Sequence, residues 1–389
     1  MAETADPRSA GTVAGPLALV LPGGGARAAY QVGVLTSLAE RAGDGAVFPI
    51  VVGVSAGAIN AAALAANCER RPGEAVALVE RAWLGMSTRK VFRSGPAALG
   101  AAALKIGGMF FAGGRSRMFA ARGLLDTRPL RRTLSGYIDA AGIAANLAAG
   151  RLRALALTAT SYSTGRTVTF IDGAEEVRTW RRAGRVAVRA PISVDHVLAS
   201  CAVPLVFPAV QLGDEYFGDG SLRQVTPLAP AVHLGSGSVL AISVRRVRNL
   251  DEEAQRQIAG YPPSAQILGM LFNSVFLDAL DADAERLERI NRSLAALPTG
   301  ASPVEGLRPI RLAVVSPSRD LGRLAAGLEH SLPRSLRLVL RALGTRGLRA
   351  PDLLSYLLFE RPYIERMLEL GREDGARQWD RIAPLLEAR

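Results

Sequence analysis

Short runs of apolar residues alternate along the chain with longer segments whose apolar residues recur at helical spacing. The first run leads into three glycines and then into a segment with apolar residues every three or four positions, a pattern that predicts a strand, a turn and a helix. The same pattern predicts strands at residues 17–21, 47–52, 154–159, 167–171, 239–244 and 310–315. Because strands and helices alternate, we expect an α/β fold in which helices cover both faces of a mainly parallel sheet.

Beyond residue 249 the pattern is mostly helical. It predicts helices at 265–297, 321–343 and 353–371, and the strand at 310–315 indicates that this region returns to the sheet. The first 15 residues are polar and small, without the basic start and apolar run of a signal peptide, so a disordered tail is expected there. The sequence therefore predicts three parts: a tail (1–15), an α/β domain (16–245) and a mostly helical C-terminal region (246–389).

Two stretches are long enough to be mistaken for membrane spans. Residues 45–68 carry no charge, but Pro49 and two later glycines divide them into a strand-like half and a helix-like half, so a buried strand, turn and helix are predicted. Residues 94–114 contain six glycines and Lys105. A central lysine costs about 2.5–3.5 kcal/mol in a spanning helix, so this stretch is predicted to be an apolar flap that touches lipid or covers a site.

The chain has 47 basic and 35 acidic residues, a formal net charge of +12. Such a charge favours a nucleic acid or an anionic membrane as partner, but no nucleic-acid-binding motif accompanies it and aromatic residues make up only 5%. Five arginines between residues 178 and 189 are interpreted as a basic rim for anionic lipid heads, or else as a solvated loop. The two cysteines form no C-x-x-C pair, which argues against a disulfide or zinc site and indicates a reducing, cytoplasmic compartment.

The second predicted strand leads into the motif Gly53-Val54-Ser55-Ala56-Gly57. A G-x-S-x-G turn between a strand and a helix holds its serine in a strained backbone conformation with the hydroxyl presented to substrate. The following helix directs its N-terminal N–H groups towards that hydroxyl. The motif therefore predicts that Ser55 is a nucleophile, although a plain strand–helix turn has the same pattern.

The turn after the first strand contains three consecutive glycines, Gly23, Gly24 and Gly25. Glycines in this position leave backbone N–H groups free to converge on an anion, either a phosphate or an oxyanion. The spacing up to Ala28 also fits a dinucleotide-binding fingerprint. That fingerprint needs an acidic residue at the end of the second strand, and Glu40 lies inside the first helix, so an oxyanion or phosphate site is favoured.

A serine nucleophile needs a base, and one candidate stands in the sequence Asp219-Gly220-Ser221. An aspartate beside glycine is ordinarily a turn residue, but none of the three histidines lies in a catalytic motif. His196 falls in the first turn of a predicted helix, and His233 and His330 lie in or beside helical segments. The order Ser55, Asp219, His330 also matches the chain order of an α/β-hydrolase triad, which stays open as an alternative.

Together the three motifs resemble those of the patatin-like phospholipases, which are serine acyl hydrolases with a Ser–Asp dyad. The similarity covers about residues 16–244, and it includes the segment 199–204 before the aspartate. The resemblance implies a three-layer α/β/α patatin-like fold whose catalytic domain is the part at 16–245. Two residues depart from the family pattern: glycine is more frequent where this chain has Ala28, and glycine or alanine where it has Ser221.

The resemblance also implies a role for each motif residue. Ser55 would be the nucleophile, Asp219 its base, the N–H groups of Gly23, Gly24 and Gly25 the oxyanion hole, and Arg27 a positive charge near a phosphate or developing anion. No metal or cofactor is required by such a dyad. A carboxylate within reach of the serine hydroxyl can accept its proton when burial tunes the carboxylate pKa.

We therefore predict an enzyme that cleaves acyl ester bonds of lipids through an acyl-Ser55 intermediate. Its expected partners are the lipid substrate and an anionic membrane surface, with no nucleic acid. A general carboxylesterase or polyester depolymerase with the same dyad is one alternative. A catalytically idle binding module of the same fold is another, but such a module would have no need of Ser55, Asp219 and the triple glycine together.

Overall fold

The computed structural model describes residues 15–93, 95, 100, 123, 125–247, 252, 262–298, 306–342, 344 and 351–387. The predicted tail, apart from Gly15, lies outside the described residues, and so does most of the predicted flap at 94–114.

The strands of the described residues form one ten-stranded sheet. They are β1 (Leu17–Leu21), β2 (Ile50–Val54), β3 (Ala154–Ser161), β4 (Thr167–Gly173), β5 (Arg181–Arg182), β6 (Arg185–Arg189), β7 (Val210–Leu212), β8 (Glu215–Asp219), β9 (Ser238–Ile242) and β10 (Arg311–Val315). Their order is β10-β9-β1-β2-β3-β4-β6-β5, and β8 pairs with both β3 and β7. Neighbours from β10 to β3 are parallel, whereas β3 pairs antiparallel with β4 and β8. The prediction of a mainly parallel sheet is confirmed.

Fifteen α-helices are found in the described part of the chain. They are α1 (Ala29–Ala42), α2 (Ala56–Ala65), α3 (Pro72–Leu84), α4 (Thr88–Val91), α5 (Arg128–Leu134), α6 (Ala140–Ala148), α7 (Val194–Ser200), α8 (Ala229–His233), α9 (Ser264–Phe276), α10 (Asp278–Ala295), α11 (Leu321–Ala325), α12 (Arg334–Ala342), α13 (Pro351–Leu357), α14 (Arg361–Arg377) and α15 (Trp379–Glu387). Short 3-10 turns occupy Gly25–Ala28, Gly43–Gly45, Gly220–Leu222 and Glu329–Ser331.

Successive residues of β1 point to opposite faces of the sheet, as the pleat requires. Leu17, Leu19 and Leu21 enter a core that includes residues of α1, α2 and α14. Ala18 and Val20 enter a second core, which includes residues of α8 and α10. Helices therefore cover both faces of the sheet, and the predicted three-layer α/β/α architecture is confirmed.

The C-terminal region packs against the helix that follows the triple glycine. A Cβ at Gly33 of α1 would lie 2.1 Å from the carbonyl oxygen of Leu368, and a Cβ at Gly371 would lie 2.2 Å from that of Tyr30. Glycine at both positions thus lets α1 and α14 approach backbone to backbone. The Tyr30 hydroxyl adds a hydrogen bond of 3.2 Å to the buried carboxylate of Asp374.

The element boundaries differ from the sequence prediction in several places. Each of the three long helices predicted after residue 249 is divided in two, and the break within 321–343 coincides with Gly327 at φ 82° and with Pro333. Both residues interrupt helices, the first by its left-handed backbone and the second by its missing N–H. Strand β2 begins at Ile50 rather than at residue 47, because the chain turns through Val47, whose N–H donates to the carbonyl of Gly45.

Among the described helices, the stretch Ser264–Ala295 has the length and the apolar composition of a membrane-spanning helix, and 28% of its most apolar 18-residue segment is buried in the structure. Core helices of soluble proteins can have the same length and composition. The uncharged stretch at 45–68 forms β2 and α2, and the predicted strand, turn and helix are confirmed.

The five arginines predicted to form a basic rim lie on and beside β5, an edge strand of the sheet, and its neighbour β6. Arg178, Arg181 and Arg182 are exposed. The guanidinium of Arg189 instead donates to backbone carbonyls, among them that of Glu175 at 2.7 Å, and that of Arg185 donates to the Thr226 hydroxyl. Arg185 is half-buried and the other four are exposed, but the guanidinium of Arg189 is engaged with backbone carbonyls, so Arg178, Arg181 and Arg182 are the three exposed side chains of this group considered for a membrane contact.

Candidate active site

Ser55 stands between β2 and α2 with a left-handed backbone, φ 53° and ψ −130°. This conformation is uncommon for a residue with a side chain and costs about 1–3 kcal/mol. The turn is tight because α2 begins against β1: a Cβ at Gly57 would lie 2.0 Å from the carbonyl oxygen of Leu21. The last glycine of the motif is therefore required by a close backbone approach. Ser55 itself is 4% exposed and lies at the N-terminus of α2.

The end of α7 holds the backbone of this turn from both sides. The Ser55 N–H donates to Ser200 Oγ at 2.9 Å. The Cys201 thiol donates to the Ser55 carbonyl oxygen at 2.9 Å. These two hydrogen bonds hold the peptide groups before and after the Ser55 Cα. The backbone conformation of Ser55 is therefore stabilised from outside β2 and α2 as well.

Asp219 reaches Ser55 because β2 and β8 meet end to end on one edge of β3. Val54, the last residue of β2, is opposite Thr158, and Asp219, the last residue of β8, is opposite the next residue, Ala159. The two strands run in opposite directions, so their ends bring Ser55 and the Asp219 carboxylate together. The Asp219 N–H donates to the Ala202 carbonyl at 2.8 Å, which ties the aspartate to the same segment that holds Ser55.

The Asp219 carboxylate is fully buried. Its Oδ1 accepts the Ser221 N–H at 2.9 Å, whereas Oδ2 has no hydrogen-bond partner among the described residues. Burial raises the pKa of Asp219 to about 7, and the hydroxyls of Ser55 and Ser221, together with the Ser221 N–H, oppose that rise. A carboxylate with such a pKa can take up and release a proton near neutral pH.

The glycine turn lies against Ser55. A Cβ at Gly23 would come within 2.9 Å of the Ser55 Cβ, so this turn and the G-x-S-x-G turn are in direct contact. Gly25 has φ 58°, and a Cβ there would lie 2.4 Å from the carbonyl oxygen of Tyr356. The C-terminal region therefore supports the glycine turn from behind.

Arg27 is placed differently from the interpretation that the sequence suggests. Its guanidinium is buried and donates to Asp352 Oδ1 at 2.7 Å and to Ser355 Oγ at 2.8 Å. It also stacks over the ring of Tyr356, 4.3 Å from the centroid. The charge of Arg27 is thus engaged with α13.

None of the three histidines is assembled with Ser55 and Asp219. His196 forms a capping box with Ser193 at the start of α7, as its predicted position suggests. The ring of His233 stacks on Trp180. His330 is exposed, and its Nδ1 contacts the Gly327 carbonyl at 2.9 Å. The triad alternative with His330 therefore has no support in the geometry.

An apolar cavity opens beside Ser55. Its wall contains no charged side chain and is formed by Gly25, Ser55, Ala56, Ile59, Trp83, Met86, Val91, Leu130, Cys201, Val203, Val206, Phe207, Phe272, Phe276, Tyr356, Leu357 and Phe359. Trp83 and Phe359 stack in this wall with centroids 6.4 Å apart. In the described parts of the chain, no group of three or more His, Cys, Asp or Glu side chains could hold a metal ion.

A family model for the patatin-like phospholipases matches residues 19–232. The chain belongs to this family. The match includes Ser55, Asp219 and the glycine turn. None of the curated proteins matches the sequence.

Solved structures that match the chain include human GIVD cytosolic phospholipase A2, at 12% identity and a TM-score of 0.46, covering 97% of this chain and 61% of that one. The same human protein in complex with methyl gamma-linolenyl fluorophosphonate has 14% identity and a TM-score of 0.44, covering 97% and 60%. VipD from Legionella pneumophila has 12% identity and a TM-score of 0.28, covering 92% and 67%. The chain spans about 60% of the length of the human phospholipase chains.

The patatin-like match ends at residue 232, but the cavity continues beyond it. Five of its lining residues come from α9, α13 and the loop after α13: Phe272, Phe276, Tyr356, Leu357 and Phe359. No motif marks these positions in the sequence. The only indication in the sequence is the helical spacing of apolar residues in these two segments. This spacing predicts a buried helix face, but it does not predict that the face lines a cavity beside Ser55.

Proposed function

We propose that this patatin-like protein is a serine acyl hydrolase that cleaves acyl ester bonds of lipids, with Ser55 as nucleophile and Asp219 as base. The observation that carries the proposal is the meeting of a serine at φ 53° with a fully buried carboxylate whose pKa is about 7. A general base is most effective when its pKa lies near the working pH.

In the acylation step, Asp219 accepts the Ser55 proton as Ser55 Oγ attacks the ester carbonyl carbon. The carbonyl oxygen gains negative charge, which the N–H groups of Gly23, Gly24 and Gly25 stabilise together with the N-terminus of α2. The C–O bond to the alcohol then breaks, and the proton on Asp219 passes to the leaving oxygen. The products of this step are the free alcohol and acyl-Ser55.

In the deacylation step, Asp219 acts a second time. It takes a proton from water as the water oxygen attacks the acyl carbon, and the same donors stabilise the second oxyanion. Collapse of this intermediate breaks the bond to Ser55 Oγ, which recovers its proton from Asp219. Fatty acid is released, and both residues return to their starting states.

The cavity supports an apolar acyl group as the part of the substrate bound next to Ser55. Its aromatic and aliphatic wall would remove a chain from water at about 0.8 kcal/mol for each buried methylene. The exposed Arg178, Arg181 and Arg182 support a peripheral contact with an anionic membrane, and the protein would meet its substrate from the cytoplasmic side.

A fluorophosphonate probe tests the nucleophile. Mass spectrometry should find the label on Ser55 alone, and Ser55→Ala should lose both labelling and ester hydrolysis while its circular dichroism and unfolding midpoint stay unchanged. Ser135→Ala, which changes an exposed serine of the same domain, should be labelled like the wild type. Label or turnover that persists in Ser55→Ala would show that another residue is the nucleophile.

A substrate panel separates the proposed lipid hydrolase from a general esterase. We expect hydrolysis of phosphatidylglycerol and phosphatidylcholine vesicles, with a preference for the anionic lipid that weakens as salt rises. A general carboxylesterase would instead cleave short p-nitrophenyl esters and leave vesicles intact. An idle binding module would cleave neither and would resist the probe.

A further inference from the structure

Ser221 carries a buried hydroxyl that the mechanism above does not use. The residue follows Asp219 and Gly220 in the short 3-10 turn Gly220–Leu222 and is 7% exposed. Its Oγ makes no hydrogen bond of regular geometry to the described residues, although it lies close enough to the Asp219 carboxylate to lower the pKa of that group. A buried polar group left without a partner costs about 1–3 kcal/mol, and a hydrogen bond to a bound substrate would remove that cost.

The position of this hydroxyl connects the three motifs. A Cβ built on Gly23 would lie 2.9 Å from Ser221 Oγ and 2.9 Å from Ser55 Cβ, so these two atoms are at most twice that distance apart. The Ser221 N–H is already used, since it donates to Asp219 Oδ1 at 2.9 Å. The backbone of Ser221 is thus held by the Asp219 carboxylate, and its hydroxyl lies close to both Gly23 and Ser55.

We propose that the Ser221 hydroxyl is a catalytic hydrogen-bond donor, which joins the N–H groups of the glycine turn in stabilising the oxyanion. The inference rests on the proposed acyl hydrolase function. A hydroxyl without a partner in the resting enzyme is free to donate as negative charge develops on the carbonyl oxygen, and such a donor stabilises the transition state more than the ground state.

Two other roles for the same hydroxyl make different predictions. If it only tunes the base, as its lowering of the Asp219 pKa allows, its loss would shift the pH profile and leave the rate on the alkaline plateau unchanged. If it only orients the attacking water, its loss would slow deacylation alone, and acyl-Ser55 would accumulate. A donor to the oxyanion serves acylation and deacylation equally.

The test compares Ser221→Ala with Ser236→Ala. Ser236 is the matched control, because its hydroxyl is also buried without a partner in the described part of the chain, but it lies between α8 and β9. At pH 9, where Asp219 is ionised, Ser221→Ala should lower kcat by about 10²–10³-fold with KM nearly unchanged. Labelling of Ser55 by the fluorophosphonate should slow as well, because the phosphoryl oxygen would use the same donors.

Any of three results for Ser221→Ala would overturn the proposal. They are a kcat at pH 9 equal to that of Ser236→Ala, accumulation of acyl-enzyme in the mass spectrum of the intact protein, or fluorophosphonate labelling at the wild-type rate. Removal of one oxygen atom leaves the fold intact, and equal unfolding midpoints for the two variants would verify this. Failure of the proposed function is distinguishable, since wild-type enzyme would then neither hydrolyse esters nor react with the probe.

Discussion

The backbone N–H of Ser55 donates to the side-chain Oγ of Ser200, a residue 145 positions away in the sequence, at 2.9 Å. The Ser200 hydroxyl in turn donates to the Thr158 carbonyl oxygen at 2.6 Å. One side chain thus links the turn at Ser55 to the middle of β3. Because a left-handed serine is under strain, this link from outside the turn contributes to holding Ser55 in position.

The first prediction concerns this link. Ser200→Ala removes the acceptor of a buried N–H, so the free energy of unfolding should fall by about 1–3 kcal/mol. The kcat should fall with little change in KM, because the turn carrying the nucleophile loses one of its two supports. Urea unfolding and fluorophosphonate labelling rates measure the two effects.

Cys201→Ser is the comparison, because it keeps a donor for the Ser55 carbonyl, and it should stay close to wild type in both measurements. If Ser200→Ala loses stability and labels at the wild-type rate, the hydrogen bond contributes to folding without positioning the nucleophile.

The second prediction follows from the pKa of about 7 that burial imposes on Asp219. The base works only when ionised, so kcat/KM should rise with pH and level off above neutrality, with an apparent pKa near 7. Asp219→Asn keeps the size of the side chain and loses the base, and kcat should fall by about 10²–10⁴-fold or more. A profile that is flat between pH 5 and 9 would contradict this assignment.

The same group makes a matching prediction for stability. The folded-state pKa is raised above the ordinary value of 3.8, so between these two values the folded state binds a proton that the unfolded state has lost. Stability contributed by Asp219 therefore falls as pH rises through this window and is fully lost above pH 7. The asparagine of Asp219→Asn does not titrate, so this variant does not lose stability in this way. The difference in the free energy of unfolding, variant minus wild type, should therefore rise by on the order of 2 kcal/mol from pH 5 to pH 8, as measured by urea unfolding.

The fold could be predicted from the sequence because its signals are local. The apolar runs of β1, β3 and β9 are buried, short and bounded by turn residues, and alternation with helical segments suffices to indicate a covered parallel sheet. One of the helix breaks in the C-terminal region, the one within 321–343, was also marked, by Gly327 and Pro333. A glycine and a proline within a stretch of helical apolar spacing indicate a helix break more strongly than the spacing indicates a continuous helix.

The site could be predicted only in part, because its remaining features depend on contacts between distant residues. The motifs indicate Ser55 and Asp219. The two residues come together only because β8 pairs with β3 at the point where the pairing of β2 with β3 ends, and no motif predicts this. Arg27 has no local feature that distinguishes a substrate-binding arginine from one paired with Asp352, 325 residues away. The aromatic wall from α9 and α13 likewise has no motif.

The third prediction uses that ion pair. Arg27 is almost fully buried, whereas the Asp352 side chain is 22% exposed. Asp352→Asn would leave the guanidinium buried without its counter-charge, which costs about 3 kcal/mol, the lower end for buried pairs because the carboxylate is partly solvated. Glu365→Gln is the control: it breaks an ion pair with Arg361 whose side chains are 49% and 69% exposed, and it should change stability by less than about 0.5 kcal/mol.

The same variant separates the two roles considered for Arg27. In the structure Arg27 stacks on Tyr356, whose carbonyl contacts Gly25 and whose ring lines the cavity, so a weakened pair should loosen the support behind the glycine turn. We expect Asp352→Asn to lower kcat for neutral and anionic esters alike, together with the loss of stability. If Arg27 instead bound the phosphate of the substrate, removing its competitor Asp352 would lower KM for phosphatidylglycerol and leave KM for a neutral p-nitrophenyl ester unchanged. Steady-state kinetics on the two substrates, with urea unfolding of the same preparations, decides between an arginine that supports the site and one that binds the substrate.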